Sequence, residues 1–127
     1  MKEKFEKQFG CTNVPKQVLE FYDKHDGIDL TINEIFSFEK IIEEYNGLFK
    51  EFLSSGINHD LDAQYIPIAN DGMGGYYAFI GNKEDENIYY LDSEFPEDEP
   101  LEYTISMIIG DNVKLMTNFN VPEYEEF

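Results

Sequence analysis

Three short apolar runs, at residues 65–69, 76–80 and 87–91, set the tightest limit on how this chain can fold. Each is strand-length and rich in aromatic and β-branched residues. The connectors between them are made of turn formers: Asn70-Asp71-Gly72-Met73-Gly74-Gly75 after the first run, and residues 81–86 after the second. An antiparallel meander is the economical reading. Pro67 lies within the first run and has no N–H to give a ladder, which predicts an edge or a bulged strand there. Consecutive residues of a strand point to opposite faces, so the pairs Tyr76–Tyr77 and Tyr89–Tyr90 are each expected to bury one ring and expose the other.

Helical spacing dominates the first half. Ile41, Ile42, Tyr45, Leu48, Phe49, Phe52 and Leu53 form one apolar stripe, which predicts an amphipathic helix over 38–55. Ser37 can cap its start and Gly56 its end, while Gly47 inside it costs roughly 1 kcal/mol relative to alanine. A short helix is expected over 2–9, with Phe5 and Phe9 on one face and Gly10 as its stop. Thr12 and Asn13 offer caps ahead of Pro15 for a second helix through Val18, Leu19 and Tyr22, ending at Gly27. Ile28, Leu30 and Ile32 alternate with Asp29, Thr31 and Asn33 as in a half-buried strand, and Ile35 and Phe36 extend it or start another. Residues 95–100 read as a loop. Leu101, Ile105, Ile108 and Ile109 suggest a last helix, with strand pairing as the alternative, and residues 120–127 read as a loose tail. No repeat or linker divides the sequence, so residues 1–127 are read as one domain.

Charge narrows the partners. The chain carries 27 acidic residues against nine lysines and no arginine, a formal net charge of −18. Bidentate arginine recognition of phosphate is excluded, and duplex binding through counterion release finds too few cations. An anionic membrane surface is disfavoured for the same reason, so neither nucleic acid nor membrane is an expected partner. The excess is uneven: residues 1–50 hold ten acids and seven lysines, residues 51–127 hold 17 acids and two lysines. Between Glu84 and Glu102 there are nine acids and no base. Such a field steers cationic partners toward it. Cys11 is the only cysteine, which precludes an internal disulfide and suits a reducing compartment. The N-terminal residues lack the apolar run of a signal peptide and no apolar run is long enough to span a bilayer, so a cytoplasmic location is expected.

Little in the chain points to catalysis. There is no phosphate loop and no G-x-S-x-G elbow. Cys11 and His25 have the right chemistry for a nucleophile and base, but nothing in the sequence brings them together. His59-Asp60-Leu61-Asp62 is the best metal candidate, and it reads more simply as a solvated loop in which an aspartate caps a turn. Carboxylate pairs are so abundant that none is informative. The expectation is no catalytic residue, no metal site and no cofactor. Tyrosines beside clustered carboxylates instead have the make-up of an interface, with rigid anchors inside a polar rim.

The order of these features resembles the SUKH superfamily, which includes yeast cell-wall-assembly regulators and many bacterial immunity proteins. Three stretches carry the likeness: VPKQVLEFYDKHDGI, IFSFEKIIEEYNGLF and YIPIANDGMGGYYAFIGNKEDENIYYLDSE. Together they lie within residues 14–109. The resemblance implies an α+β fold, a twisted antiparallel sheet packed by amphipathic helices, and a non-catalytic protein that neutralises a cognate toxin, often a nuclease or deaminase, by direct binding. Two departures stand out: Asp26 replaces the asparagine common before the glycine that closes the opening helix, and the aromatic often found as tryptophan is absent. The charge cluster and the exposed strand end beside it place a surface for a basic protein partner on Asp71, Tyr89, Asp92, Glu94, Glu97, Asp98, Glu99 and Glu102. The alternatives are a regulatory or scaffolding module without a toxin, and a metal-dependent hydrolase using His59 and nearby carboxylates. Oligomeric state is open, although Pro67 would blunt an exposed edge.

Overall fold

A computed structural model describes residues 1–30 and 33–110; Thr31, Ile32 and residues 111–127, including the expected tail, lie outside the described residues. The elements run α1 (Lys2–Phe9), α2 (Lys16–Lys24), β1 (Ile28–Asp29), β2 (Glu34–Ile35), α3 (Phe38–Asn46), α4 (Leu48–Leu53), β3 (Tyr65–Asn70), β4 (Tyr76–Ile80), β5 (Ile88–Leu91) and β6 (Leu101–Tyr103). A further helix, α5, occupies residues 105–110. The six strands form one sheet in sequence order, antiparallel throughout, with α3 and α4 inserted between β2 and β3. The mixed α+β class expected from the resemblance is the one observed, with the meander at its centre.

Alternation along the strands sorts side chains onto two faces. Ile66, Ile68, Tyr77, Phe79 and Ile88 join the larger core, with α1, α2, the start of α3 and α5 packed over it. Its middle is aromatic: the Phe5 ring meets Phe38 at 5.1 Å and Phe79 at 5.6 Å, both edge to face. Tyr65, Ala78, Ile80 and Leu91 point the other way, into a smaller cluster closed by Phe49, Phe52 and Ile57.

Covering both faces corrects the expected exposed tyrosines. Tyr77 is buried, and Tyr76, Tyr89 and Tyr90 are half-buried. Tyr76 packs at 5.0 Å against both Phe49 and Phe52 and donates its hydroxyl to Glu44 at 2.6 Å.

The predicted single helix over 38–55 is two. Gly47 takes φ −124° and ψ −112°, outside helical space, and separates α3 from α4. The break falls where the apolar stripe changes cores: Ile41 belongs to the larger cluster and Phe49 to the smaller. Ser37 caps α3 as expected, accepting from the Lys40 N–H at 3.2 Å, and Asp26 adds a second cap by accepting from the Phe38 N–H at 2.8 Å. A carboxylate is the better partner for a helix N-terminus, which gives Asp26 a physical use in place of asparagine.

Several other expectations shift. Pro15, not Thr12 or Asn13, is the residue preceding α2; the Asn13 amide donates to the carbonyls of Ile80 and Asp85 at 2.9 and 2.8 Å and ties the chain to the turn after β4. The alternating segment after Gly27 reverses into a hairpin, pairing Ile28 with Ile35 and Asp29 with Glu34. β3 lies inside the sheet rather than at its edge. Pro67 is tolerated because β2 pairs only at Ala69 and Asn70, and a register shift between Pro67 and Ala69 supplies the predicted bulge. The interior position also removes Pro67 as a guard against edge pairing. Leu101 pairs in β6 instead of starting α5, which Thr104 caps by accepting from the Met107 N–H at 3.0 Å.

Candidate docking surface

The densest acidic stretch connects β5 to β6, and its shape comes from hydrogen bonds to its backbone. At its start the Glu94 N–H donates to Asp92 Oδ1 at 2.9 Å, an Asx turn that points the chain away from the sheet. A β-turn follows, with the Asp98 N–H donating to the Phe95 carbonyl at 3.1 Å. Asn58, from the loop after α4, then clamps the segment twice. Its N–H donates to the Pro96 carbonyl at 2.7 Å, and its amide Nδ2 to the Glu97 carbonyl at 3.2 Å. Sequence reasoning passed over Asn58, and an asparagine in a polar loop carries no signal of such a long-range role.

Glu94, Glu97, Asp98, Glu99 and Glu102 are exposed, and none forms an ion pair among the described residues, whose three pairs are Lys16–Glu20, Lys40–Glu34 and Lys83–Asp60. Asp92 and Tyr89 are half-buried at the margin. The Tyr89 hydroxyl donates to Asp85 Oδ2 at 2.5 Å.

Asp71 occupies a different kind of place from the other seven. It is 7% exposed. Its Oδ1 accepts from the Met73 and Gly75 N–H groups at 2.8 and 2.9 Å, and Oδ2 accepts from the Tyr90 hydroxyl in a very short bond. Asp71 therefore pins the glycine-rich β3–β4 turn to β5, and its carboxylate is turned inward instead of presented to a partner.

Two concavities flank the acidic loop. Ile57, Leu91, Phe95 and Leu101 line the first, of about 240 Å³, together with Asp92, Asp98 and Glu99. The second, of about 410 Å³, is lined by His59, Asp60, Lys83, Asp85 and Tyr89. Asn58 and Glu99 belong to both.

The groups considered for catalysis are engaged structurally. Burial pushes the Cys11 thiol above its ordinary range, which disfavours the thiolate a nucleophile needs. His59 Nδ1 lies 2.6 Å from the Ile57 carbonyl oxygen. Asp60 caps its turn through the Asp62 N–H at 3.0 Å and pairs with Lys83 at 2.5 Å, which lowers its carboxyl below the usual range. Among the described residues, no group of three histidine, cysteine or acidic side chains is disposed to hold a metal ion.

A family model described as SMI1 / KNR4 family (SUKH-1) matches residues 3–107. The chain belongs to that family. Searches among curated proteins and among solved structures returned no match. The SUKH-1 match runs from α1 into α5, so it takes in the whole sheet and the acidic loop. Proteins of the family are generally non-catalytic, acting in immunity or regulation. No helix among the described residues of this SUKH-1 chain is long and apolar enough to cross a membrane.

The tyrosines of β4 and β5 carry a pH signature. Burial, and then donation to Asp85, pushes the Tyr89 phenol from its ordinary value near 10 up to about 12. Tyr76 and Tyr90 are also raised, by burial first and then by donation to Glu44 and Asp71. All three are neutral in folded and unfolded chains at lower pH. Above pH 10 the unfolded chain releases phenolic protons that the folded chain retains, so the stability that these phenols contribute is full below about 10 and is lost as pH rises through about 12. Denaturant midpoints are expected to begin falling near pH 9, where the unfolded chain releases the Cys11 proton that the folded chain retains, and to fall more steeply above about 10, with a shallower decline there in Tyr89→Phe. Equal slopes for Tyr89→Phe and the parent would refute the assignment.

Proposed function

We propose that this SUKH-1 protein is a cytoplasmic immunity protein. It neutralises a cognate bacterial toxin, a nuclease or deaminase in type, by covering a basic surface on it with the acidic segment between β5 and β6. The observation that carries the reading is a set of exposed carboxylates with no lysine neutralising them among the described residues: Glu94, Glu97, Asp98 and Glu99 on a loop held by bonds to its backbone, and Glu102 beside them in β6. A toxin cleft built to hold nucleic acid presents lysines and arginines, and such an acidic face opposes them with the charge of the substrate. Long-range attraction of this kind acts mainly on association rate and is screened beyond about 8 Å at physiological ionic strength.

The test uses the product of the reading frame beside this gene, where a cognate toxin is expected, and the variant D98N/E99Q/E102Q. Association measured by stopped flow at low salt is expected to slow about tenfold or more, with a smaller dependence on ionic strength and weaker protection of cells expressing the toxin. An unchanged rate and unchanged protection would overturn the assignment of the surface.

A further inference from the structure

The two concavities beside the acidic loop differ in chemistry but share a wall. In the first, Phe95 and Leu101 are 60% and 59% exposed, and both open onto the buried Leu91 and Ile57. Large apolar side chains gathered around one concavity mark a contact site, whereas Leu48, Leu61 and Met73 are exposed on other elements of the fold. In the second, Lys83 is matched by Asp60, leaving Asp85 and Glu99 as excess negative charge near the Tyr89 ring. Asp85 is itself fixed, accepting from Tyr89 and from the Asn87 N–H at 2.8 Å. A carboxylate held in place beside an aromatic ring suits an alkylammonium or guanidinium group.

We infer that the segment of the partner received here presents an apolar side chain next to a basic one: the apolar group seats between Phe95 and Leu101, and the cation beside Glu99, facing Asp85 and Tyr89. This rests on the docking surface proposed above and adds the chemistry of the segment it recognises. Charge alone would attract any basic protein. The apolar seat adds contact that desolvates on binding and slows dissociation, the step in which related complexes differ most. Recognition by both seats at once then separates a cognate segment from a merely cationic one.

Fluorescence anisotropy with the intact protein and four labelled decapeptides tests this. One peptide alternates leucine and lysine, one replaces each leucine by serine, one replaces each lysine by glutamine, and one replaces each lysine by glutamate. The leucine–lysine peptide is expected to bind at least about tenfold tighter than the equally charged serine–lysine peptide, and the glutamate peptide not at all. Leu101→Ser should abolish that tenfold advantage without changing serine–lysine binding, and Phe95→Ser should do the same; both positions are exposed, and unchanged melting temperatures confirm folding. Glu99→Gln should weaken both basic peptides. Equal affinity of the two basic peptides, or a Leu101→Ser protein that keeps the preference, overturns the inference and leaves the toxin-docking result standing. Absence of binding by either basic peptide up to about 1 mM overturns it as well. Failure of the docking reading shows separately, in the toxin association experiment.

Discussion

Replacing Asp71 by alanine is expected to cost about 4 kcal/mol, a large share of the roughly 5–15 kcal/mol that stabilises a domain, and to remove most soluble protein at 37 °C. The buried carboxylate accepts three hydrogen bonds, from the Met73 and Gly75 N–H groups and the Tyr90 hydroxyl. Bonds to a charged acceptor contribute about 1.5–3 kcal/mol each, and donors left buried without a partner keep their desolvation cost. Tyr90→Phe removes one of the three donors and is expected to cost about 2 kcal/mol. Asp71→Asn should fall between the two, because the amide oxygen still accepts. Urea denaturation orders the three variants. An Asp71→Ala protein as stable as the parent would refute the pin.

Gly27→Ala is expected to cost on the order of 3–4 kcal/mol from two sources. The residue sits at φ +86°, where a side chain adds about 1–2 kcal/mol. A Cβ there would also lie 2.6 Å from the Ser37 backbone nitrogen and 2.8 Å from the Ile35 carbonyl oxygen. Neither atom can move aside by a rotamer change, since Ile35 is paired in β2 and Ser37 caps α3. Overpacking of that kind adds a further 1–3 kcal/mol. Gly10 provides the control: its φ is +64°, but a Cβ there meets nothing within 4 Å, so Gly10→Ala should cost only about 1 kcal/mol. Thermal melts of the two variants compare them directly. Similar losses at both glycines would mean that the close approach at Gly27 contributes nothing.

What was legible in the sequence was what periodicity and turn chemistry dictate locally. Strands β3, β4 and β5 stand close to where apolar runs and glycine-rich connectors put them, and Ser37 opens α3 as its position before an amphipathic stripe predicted. Features decided by residues distant in sequence were not legible. Gly47 shows only as a modest helix cost until the two cores on opposite faces of the sheet give a reason for the chain to break there. Asn13 has the form of a helix cap, yet it bonds carbonyls some 67 and 72 residues away. Of the eight residues picked for the surface, the five exposed acids followed from charge counting alone. Asp71 looked like one more acid because nothing in the sequence shows that Tyr90, 19 residues later, donates to it.

The clamp made by Asn58 has a consequence for how this surface can diversify. It grips the loop through the carbonyls of Pro96 and Glu97, groups that every residue type supplies. Side chains at positions 94, 97, 98 and 99 are therefore not needed to hold the loop in place. On the docking reading proposed above, partner preference can be rewritten there, one position at a time, with little toll on folding, as long as Asn58 and the Asx turn at Asp92 are kept. On that reading, separating scaffold from message lets an immunity lineage follow a changing toxin without rebuilding its core.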